Sequence, residues 1–154
     1  MSLDQVREKL AALTGMFVVS KTIAGNSLLL HFASAKDAKP QVTVWLDPAW
    51  RYERAGRPVV ASGDFPVVEA DADRPEFERV CELTDDLSGV TLEHADVSLP
   101  SHDLSLKLSG ARTLLGFALT VQDLDWPNWQ LHDLAEELRY SVTVQGVLIE
   151  SSSA

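Results

Sequence analysis

The sequence is poor in cysteine, with Cys81 as the one thiol among 154 residues. A single thiol excludes an internal disulfide, and a zinc site needs further ligands that are not grouped around this residue. No stretch approaches the roughly 18 uninterrupted apolar residues of a membrane-spanning helix. The N-terminal residues also lack the basic and apolar segments of a secretory signal. We therefore expect a cytoplasmic protein that does not contact a membrane.

Motifs that carry enzymatic chemistry are also missing. The eight glycines are scattered, and none stands in a nucleotide-binding glycine-rich arrangement. Ser101-His102-Asp103 contains the residue types of a hydrolase triad, but adjacent residues on a turn do not place nucleophile, base and carboxylate in line. His94 and Asp96 share a face of a predicted strand, and a metal site there would need His102 or Asp103 to converge with them. We expect a non-enzymatic protein without catalytic residues, metal or cofactor.

Basic residues are scarce in the second half of the chain. There are 13 Lys and Arg against 23 Asp and Glu, which gives a formal net charge of −10. Residues 1–77 contain 9 basic and 10 acidic residues, whereas residues 78–154 contain 4 and 13. Binding to nucleic acid or to an anionic membrane needs clustered Lys and Arg, so we exclude both partners. An acidic half favours a basic protein partner, although solubility alone is a simpler explanation of the charge.

The sequence does contain an internal similarity between its two halves. A shift of 74 positions aligns the apolar and glycine positions of residues 3–15 with those of residues 77–89. A shift of 76 aligns a later set, namely Leu28 with Leu104, Leu30 with Leu106, Phe32 with Leu108, Asp47 with Asp123 and Trp50 with Trp126. We predict a first repeat over 1–66, a connector over 67–74, a second repeat over 75–150 and a tail over 151–154.

Each half begins with a helical period and continues with alternating strands. In the first half, Leu3, Val6, Leu10 and Leu13 have helical spacing, and Gly15 favours a helix end. Turn signals then separate short alternating runs, at intervals that suit antiparallel pairing. We predict an α+β fold of two pseudo-repeats, each a leading helix followed by a mainly antiparallel sheet of four to five strands. We expect the two sheets to bury each other's apolar faces in one cooperative globular unit.

Three short segments carry a family resemblance: Trp50-Arg51-Tyr52, Val59-Val60-Ala61-Ser62-Gly63-Asp64 and Leu28-Leu29-Leu30-His31-Phe32. Through them the chain resembles, over most of its length, an uncharacterised bacterial family, a domain of unknown function. The resemblance implies a duplicated β-rich unit and assigns no catalytic residue. The second half departs from the pattern, because Trp129 competes with Trp126 as the counterpart of Trp50.

The four tryptophans fall at related places in the two halves. Large aromatic side chains dominate core burial, so one interpretation is that they fill the interface between the sheets. The other interpretation is an aromatic binding surface, because tryptophan is enriched in interaction hot spots. With two acidic neighbours, the candidate binding residues are Trp45, Trp50, Trp126, Trp129, Asp123 and Asp125.

Two classes of function remain open. The first is a non-enzymatic protein-binding module whose acidic second half holds a basic partner, with an immunity-type inhibitor of a toxin as one concrete form. The alternative is a small-molecule-binding protein, or an enzyme without a recognisable motif, with a cleft between the repeats near Trp50 and Trp126. Self-association into a homodimer through a sheet edge is a third and plainer arrangement.

Overall fold

The computed structural model describes residues 2–123 and 125–152 of the chain. Within these residues the helices are α1 (Ser2–Ala12) and α2 (Arg74–Glu82), and neither is long and apolar enough to cross a membrane. The strands are β1 (Phe17–Ala24), β2 (Ser27–Ala33), β3 (Val42–Leu46), β4 (Trp50–Arg54), β5 (Arg57–Ala61), β6 (Leu92–Ser98), β7 (Asp103–Leu108), β8 (Arg112–Gly116), β9 (Trp129–Asp133), β10 (Leu138–Thr143) and β11 (Gly146–Ser151).

Both helices follow the local signals of the sequence. Val6, Leu10 and Leu13 are buried on one face of α1 and the turn after it, as their spacing predicts. Gly15, just past the helix end, has a φ of +86°, a left-handed conformation that glycine adopts without a Cβ clash. In α2, Pro75 occupies the first turn, where its missing N–H has no helical partner to lose.

The strand pairs of the described residues are antiparallel and form two sheets. The six-stranded sheet has the order β1-β2-β3-β9-β10-β11, and the five-stranded sheet has the order β5-β4-β8-β7-β6. The predicted α+β class and antiparallel pairing are confirmed. The structure differs from the expectation of one sheet per half, because each sheet contains strands from both halves. The halves are joined by the pairs β3–β9 and β4–β8.

The two sheets pack face to face around one apolar core. Leu30, Val44 and Leu131 lie at paired register positions across the six-stranded sheet, and all are fully buried. Gly116 of the five-stranded sheet approaches Leu46 so closely that an added Cβ would lie 3.4 Å from its Cδ2 atom. One side of the sandwich is closed by α1, which contacts β6 and β11, the edge strands of the two sheets.

A short antiparallel contact joins the segments that follow the two helices. The Gly15 N–H donates to the Leu92 carbonyl at 2.8 Å, and the Gly89 N–H donates to the Val18 carbonyl at 2.6 Å. These backbone hydrogen bonds link the edge strands β1 and β6. The two sheets are therefore connected by main-chain contacts as well as by the apolar core.

Two connections carry the chain from one sheet to the other, and they differ in length. The short connection, residues 47–49, joins β3 to β4 in three residues. The long connection, residues 117–128, joins β8 to β9 in twelve. β8 ends at Gly116, where the chain leaves the five-stranded sheet.

The two connections touch through their backbones. The Phe117 N–H donates to the Ala49 carbonyl at 2.8 Å. The Asp47 N–H donates to the Asn128 carbonyl at 3.2 Å. Both ends of the long connection are therefore held against the short one.

Ion pairs use part of the acidic second half to hold the first half. Lys9 of α1 contacts Asp133 at 2.7 Å and Glu136 at 3.0 Å. Lys21 of β1 contacts Asp85 at 2.9 Å. A single exposed pair contributes about 0–1 kcal/mol, so these contacts act as a group rather than singly. Part of the charge asymmetry between the halves therefore stabilises the contact between them.

The ends of the predicted segments shift by a few residues. The predicted tail, 151–154, begins inside β11, because Ser151 pairs with Leu138. Residues 153 and 154 of that tail lie outside the described residues. The predicted connector, 67–74, ends in a 3-10 turn at residues 71–73 that leads directly into α2.

Cutting the chain in its connector tests the shared sheets. We expect fragments 1–70 and 71–154 to be unfolded alone, because each would expose strand edges that the other fragment pairs. Expressed together, they should purify in equal amounts and unfold in one cooperative transition by circular dichroism. A sharp unfolding transition in either isolated fragment would contradict the conclusion that each sheet needs strands from both halves.

Candidate functional site

Two of the four tryptophans belong to the core. Trp50 and Trp129 are 1% and 0% exposed. Trp50 Nε1 donates to the Asn26 carbonyl at 2.7 Å, and Trp129 Nε1 donates to the His102 carbonyl at 2.9 Å. Each indole fills core space and satisfies the carbonyl of a turn residue. Neither ring is accessible to a ligand, so neither residue is part of the binding surface that the sequence suggested.

Among the described residues of the long connection, three large apolar side chains are exposed. Leu119, Val121 and Trp126 are 64%, 61% and 74% exposed. Asp123 and Asp125 lie among them and are exposed as well. Apolar side chains that cluster in solvent mark an interaction site more often than scattered single ones do. We call these five side chains the connection surface.

Short-range hydrogen bonds shape the long connection. Thr120 Oγ1 donates to the Asp123 carbonyl at 2.8 Å, and the Asp125 N–H donates to Asp123 Oδ1 at 3.1 Å. Bonds between side chain and backbone at this spacing are typical of Thr and Asp in turns. Asp123 therefore helps to fix the loop, while Asp125 lines the cavity beside it.

This cavity has a volume of about 590 Å³ and lies over the outer face of the six-stranded sheet. Trp45, Asp47, Asp125 and Trp126 form the part nearest the connections. Arg139 also lines the cavity, on the opposite side of Trp45 from Asp47. It pairs with His132, which lies two residues along β9 from Gln130, the partner of Trp45. The volume is within the range of small-ligand sites, and aromatic and carboxylate groups share its wall.

Asp47 is shared by this cavity and by a second one of about 320 Å³. Its Oδ1 atom accepts hydrogen bonds from Ser27 Oγ at 2.9 Å and from Trp45 Nε1 at 3.0 Å. Burial raises the pKa of the Asp47 carboxyl, and the two hydrogen bonds oppose that rise. Among the described residues no donor contacts Oδ2, which leaves one carboxylate oxygen for a ligand.

Asn128 lies in the wall of the second cavity, close to Asp47. It is 5% exposed, and its Nδ2 atom has no hydrogen-bond partner within the described part of the chain. Buried amides nearly always have a partner, and an unpaired one costs about 1–3 kcal/mol. Asn128 therefore contributes a buried amide donor without a partner to the wall of the second cavity.

Two histidines organise the same sheet face. His31 forms hydrogen bonds with Thr22 at 2.9 Å and with Thr43 at 2.8 Å, one through each ring nitrogen. His132 stacks on Trp45, with the ring centroids 5.9 Å apart. Burial lowers the pKa of both histidines. Burial therefore disfavours the charged form of both rings, and the stack with His132 fixes the position of Trp45.

Two of the residues that the sequence raised for catalysis or metal binding, His102 and Asp103, have structural partners. His102 Nδ1 donates to the Thr143 carbonyl at 2.7 Å. Asp103 Oδ1 accepts from the Ala118 N–H at 3.2 Å, so it does not orient the histidine. In the described ranges, no group of three or more His, Cys, Asp or Glu side chains is placed to hold a metal ion.

The charge around the connection surface is negative. Residues 113–138 contain no Lys or Arg and five acidic residues. Lys9 neutralises two of these, Asp133 and Glu136. The remaining acidic residues include both carboxylates of the connection surface. The field at this surface therefore attracts cationic groups.

Comparison with family models, with curated proteins and with solved structures found no match for the chain. The resemblance to a bacterial family of duplicated β-rich units therefore stays a prediction.

The structure brings together three of the predicted site residues and adds two others. Trp45, Trp126 and Asp125 line one cavity. Sequence reasoning did not select Asp47. Its position could have indicated it, because Asp47 follows Trp45 by two residues, which places both on the same strand face, and it precedes a proline. Asn128 has no sequence signal, because its burial results from tertiary contacts alone.

Phenylalanine substitutions separate the core tryptophans from the exposed one. Trp50→Phe and Trp129→Phe each leave a turn carbonyl without its donor, and we expect each to lower the free energy of unfolding by about 1–3 kcal/mol. Trp126→Phe should change it by less than about 0.5 kcal/mol. Urea denaturation measures all three variants. Equal losses in the three would contradict this division of roles.

Proposed function

We propose that this protein is a binding module for a basic protein partner, which it holds through the connection surface. The observation that carries the proposal is Trp126, which is 74% exposed on a loop that contains carboxylates and no Lys or Arg. An inhibitor of the immunity type, which blocks a basic toxin, is one concrete form of such a module. The proposal needs no catalytic step, metal or cofactor.

Apolar contact and charge have separate parts in this function. Truncating a tryptophan at the centre of an interface typically costs about 2 kcal/mol or more in binding free energy. Carboxylates at an interface rim act mainly on the association rate and on the choice of partner, and salt screens them. We expect affinity to come from Trp126 and its apolar neighbours, and selectivity to come from Asp123 and Asp125.

We further propose that the chain is two copies of one unit related by a local two-fold axis. A shift of 74 positions exchanges the four backbone hydrogen bonds between residues 15–18 and 89–92 in two pairs. The Gly15–Leu92 bond becomes the Gly89–Val18 bond. The bond from the Val18 N–H to the Val90 carbonyl likewise becomes the bond from the Leu92 N–H to the Met16 carbonyl. The bridge between these segments joins Phe17 to Thr91, which are also 74 positions apart. Contacts that exchange in this way are what a two-fold axis between equal units produces.

The buried tryptophans support the same relation. Trp50 and Trp129 each begin the strand that follows a connection. Their indole N–H groups donate to Asn26 and His102, which are 76 positions apart, as the second predicted shift requires. In this correspondence Trp129, rather than Trp126, is the counterpart of Trp50.

The correspondence makes the long connection an elaboration of one copy. The short connection reads Asp47-Pro48-Ala49, and the long one begins with Phe117 and ends with Pro127-Asn128. Residues 118–126 have no counterpart, and they contain the whole connection surface. Binding residues are often carried on loops that a rigid scaffold positions. An added loop with apolar side chains in solvent is therefore where we place the function.

A small-molecule ligand is the second candidate, and the cavity of about 590 Å³ favours it. Because Trp50 is buried, the cleft expected near Trp50 and Trp126 is replaced by one between Trp45 and Trp126. A homodimer is a further candidate, since β11 is an edge strand on which Leu148 is 60% exposed. Crosslinking from the connection surface separates these candidates by the mass of the adduct.

The test replaces Trp126 with an aromatic photo-crosslinking amino acid, which keeps a large ring at this position, and irradiates the protein in an extract of its source cells. Leu99, a 65% exposed residue in the turn between β6 and β7, serves as the matched control position. We expect position 126 to give one adduct with a basic protein, reduced at least tenfold when salt rises from about 50 to about 500 mM. Position 99 should give no such adduct.

The identified partner then allows a quantitative check. Trp126→Ala should raise the Kd at least about 30-fold, and Leu99→Ala should leave it unchanged. The proposal fails if position 126 gives no adduct, or an adduct only with acidic proteins. It also fails if the adduct is with a second copy of this chain, whose isoelectric point is about 4.7.

A further inference from the structure

We propose that the cavity at Asp47 receives the guanidinium group of an arginine side chain from the basic partner. This inference rests on the proposed function, because it names the group that the partner places beside the connection surface. Its grounds are a carboxylate oxygen without a donor, two tryptophan side chains in one wall, and an internal counterpart in which the protein's own arginine fills the space.

The counterpart lies on the outer face of the five-stranded sheet. Arg51 lies over the Phe117 ring, with its guanidinium carbon 5.2 Å from the ring centroid, and it pairs with Glu53 at 2.7 Å. In the proposed correspondence between the halves, Phe117 matches Asp47, because their N–H groups make the exchanged hydrogen bonds between the two connections. Arg51 matches Gln130, because each directly follows a buried tryptophan.

Gln130 leaves open the space that an arginine fills on the other sheet. Its side chain lines the large cavity and carries no charge. The Phe117 ring, which lies under Arg51, corresponds to the Asp47 carboxylate on this sheet. Leu115, the strand partner of Arg51, corresponds to Trp45, the strand partner of Gln130. The site therefore keeps the room for a guanidinium and gains both a carboxylate and a larger ring.

The Asp47 carboxylate suits a charged donor. Ser27 and Trp45 donate to the same oxygen, Oδ1, and so hold the carboxylate in one orientation. Oδ2 is left without a donor from the described residues. A half-buried carboxylate forms stronger charge-assisted hydrogen bonds than an exposed one, because water screens it less. Burial also raises the pKa of this carboxyl, because the charged form is less well solvated there. A bound cation would offset that loss of solvation.

The tryptophans favour a flat cation. Trp45 is held by its hydrogen bond to Asp47 and by its stack with His132, so its ring is fixed before any ligand arrives. Trp126 belongs to the same wall. A guanidinium stacks on aromatic rings and offers several N–H donors in a plane, whereas a lysine ammonium is a compact charge that holds its water more tightly.

The smaller cavity indicates that the arginine arrives as part of a peptide. Asp47, Trp126 and Pro127 line both cavities, which are therefore adjacent. The smaller cavity has a volume of about 320 Å³. A peptide that carries the arginine would fill this second space, while a free guanidinium ion would leave it empty.

One basic residue, Arg139, also lines the large cavity, but it does not occupy the Asp47 end. Arg139 pairs with Glu150 at 3.3 Å. It lies in register with His132, on the opposite side of Trp45 from Asp47. With Asp47 and Asp125 near the connections, that end of the cavity stays acidic.

The test is an NMR titration of the intact protein, observed at the indole N–H of Trp45. The probe is N-acetylarginine amide, and its neutral isostere N-acetylcitrulline amide is the matched ligand control. We expect a saturable shift with the arginine probe at millimolar concentration and at least tenfold weaker binding of the citrulline probe. Asp47→Asn should weaken the arginine probe at least tenfold, and Asp96→Asn on the other sheet should have no effect.

Folding and ligand source have their own controls. The amide that Asp47→Asn introduces keeps an oxygen for Ser27 and Trp45, so a thermal melt of this variant should show an intact fold. Guanidinium chloride serves as the probe for a free small cation. Weaker binding of guanidinium than of the arginine amide supports a peptide source, and equal binding contradicts it.

The inference is overturned if the arginine and citrulline probes bind equally, if the arginine probe gives no shift, or if Asp47→Asn leaves binding unchanged. Those results leave the proposed function standing when crosslinking from position 126 still captures a basic protein. Loss of that crosslink together with an intact arginine titration would instead remove the protein partner and keep the cation site. The two failures are therefore distinguishable.

Discussion

Two antiparallel strand pairs, β3 with β9 and β4 with β8, are the constraint on which the rest of the structure depends. They complete both sheets from strands of both halves, so the core closes only when the whole chain is folded. The same pairs bring the short connection against the long one. Asp47 and Trp126 come from different halves and line one cavity for this reason. The candidate site is therefore a consequence of the topology.

The acidic second half divides its charge between two tasks. Some of its carboxylates pair with Lys9 and Lys21 and hold the halves together. The long connection takes no part in these pairs among the described residues, and its segment contains no basic residue. Its carboxylates therefore stay outside these ion pairs and lie beside apolar side chains that are exposed to solvent. One scaffold is thus stabilised by charge and still presents a charged surface.

Local patterns in the sequence predicted the local structure well and the long-range structure poorly. Helical spacing and Gly15 defined α1, and alternation marked most strands, because both signals depend on neighbouring residues. Strand pairing between halves left no such signal. Trp50 and Trp126 look alike in sequence, yet one starts a strand and is buried while the other lies in an aperiodic loop. Asp47 did not stand out in the sequence as a site residue, because Ser27 and Trp126 lie near it only in the folded chain.

The most direct measurement is the affinity of a shortened chain for the basic partner captured by crosslinking. Deleting residues 118–126 leaves Phe117-Pro127-Asn128, a connection as long as Asp47-Pro48-Ala49. If the scaffold is two equal units and the added loop carries the function, this chain still unfolds cooperatively by circular dichroism, and its Kd rises at least about 30-fold. A shortened chain that binds the partner as tightly as the full one, or that does not fold, would contradict the account.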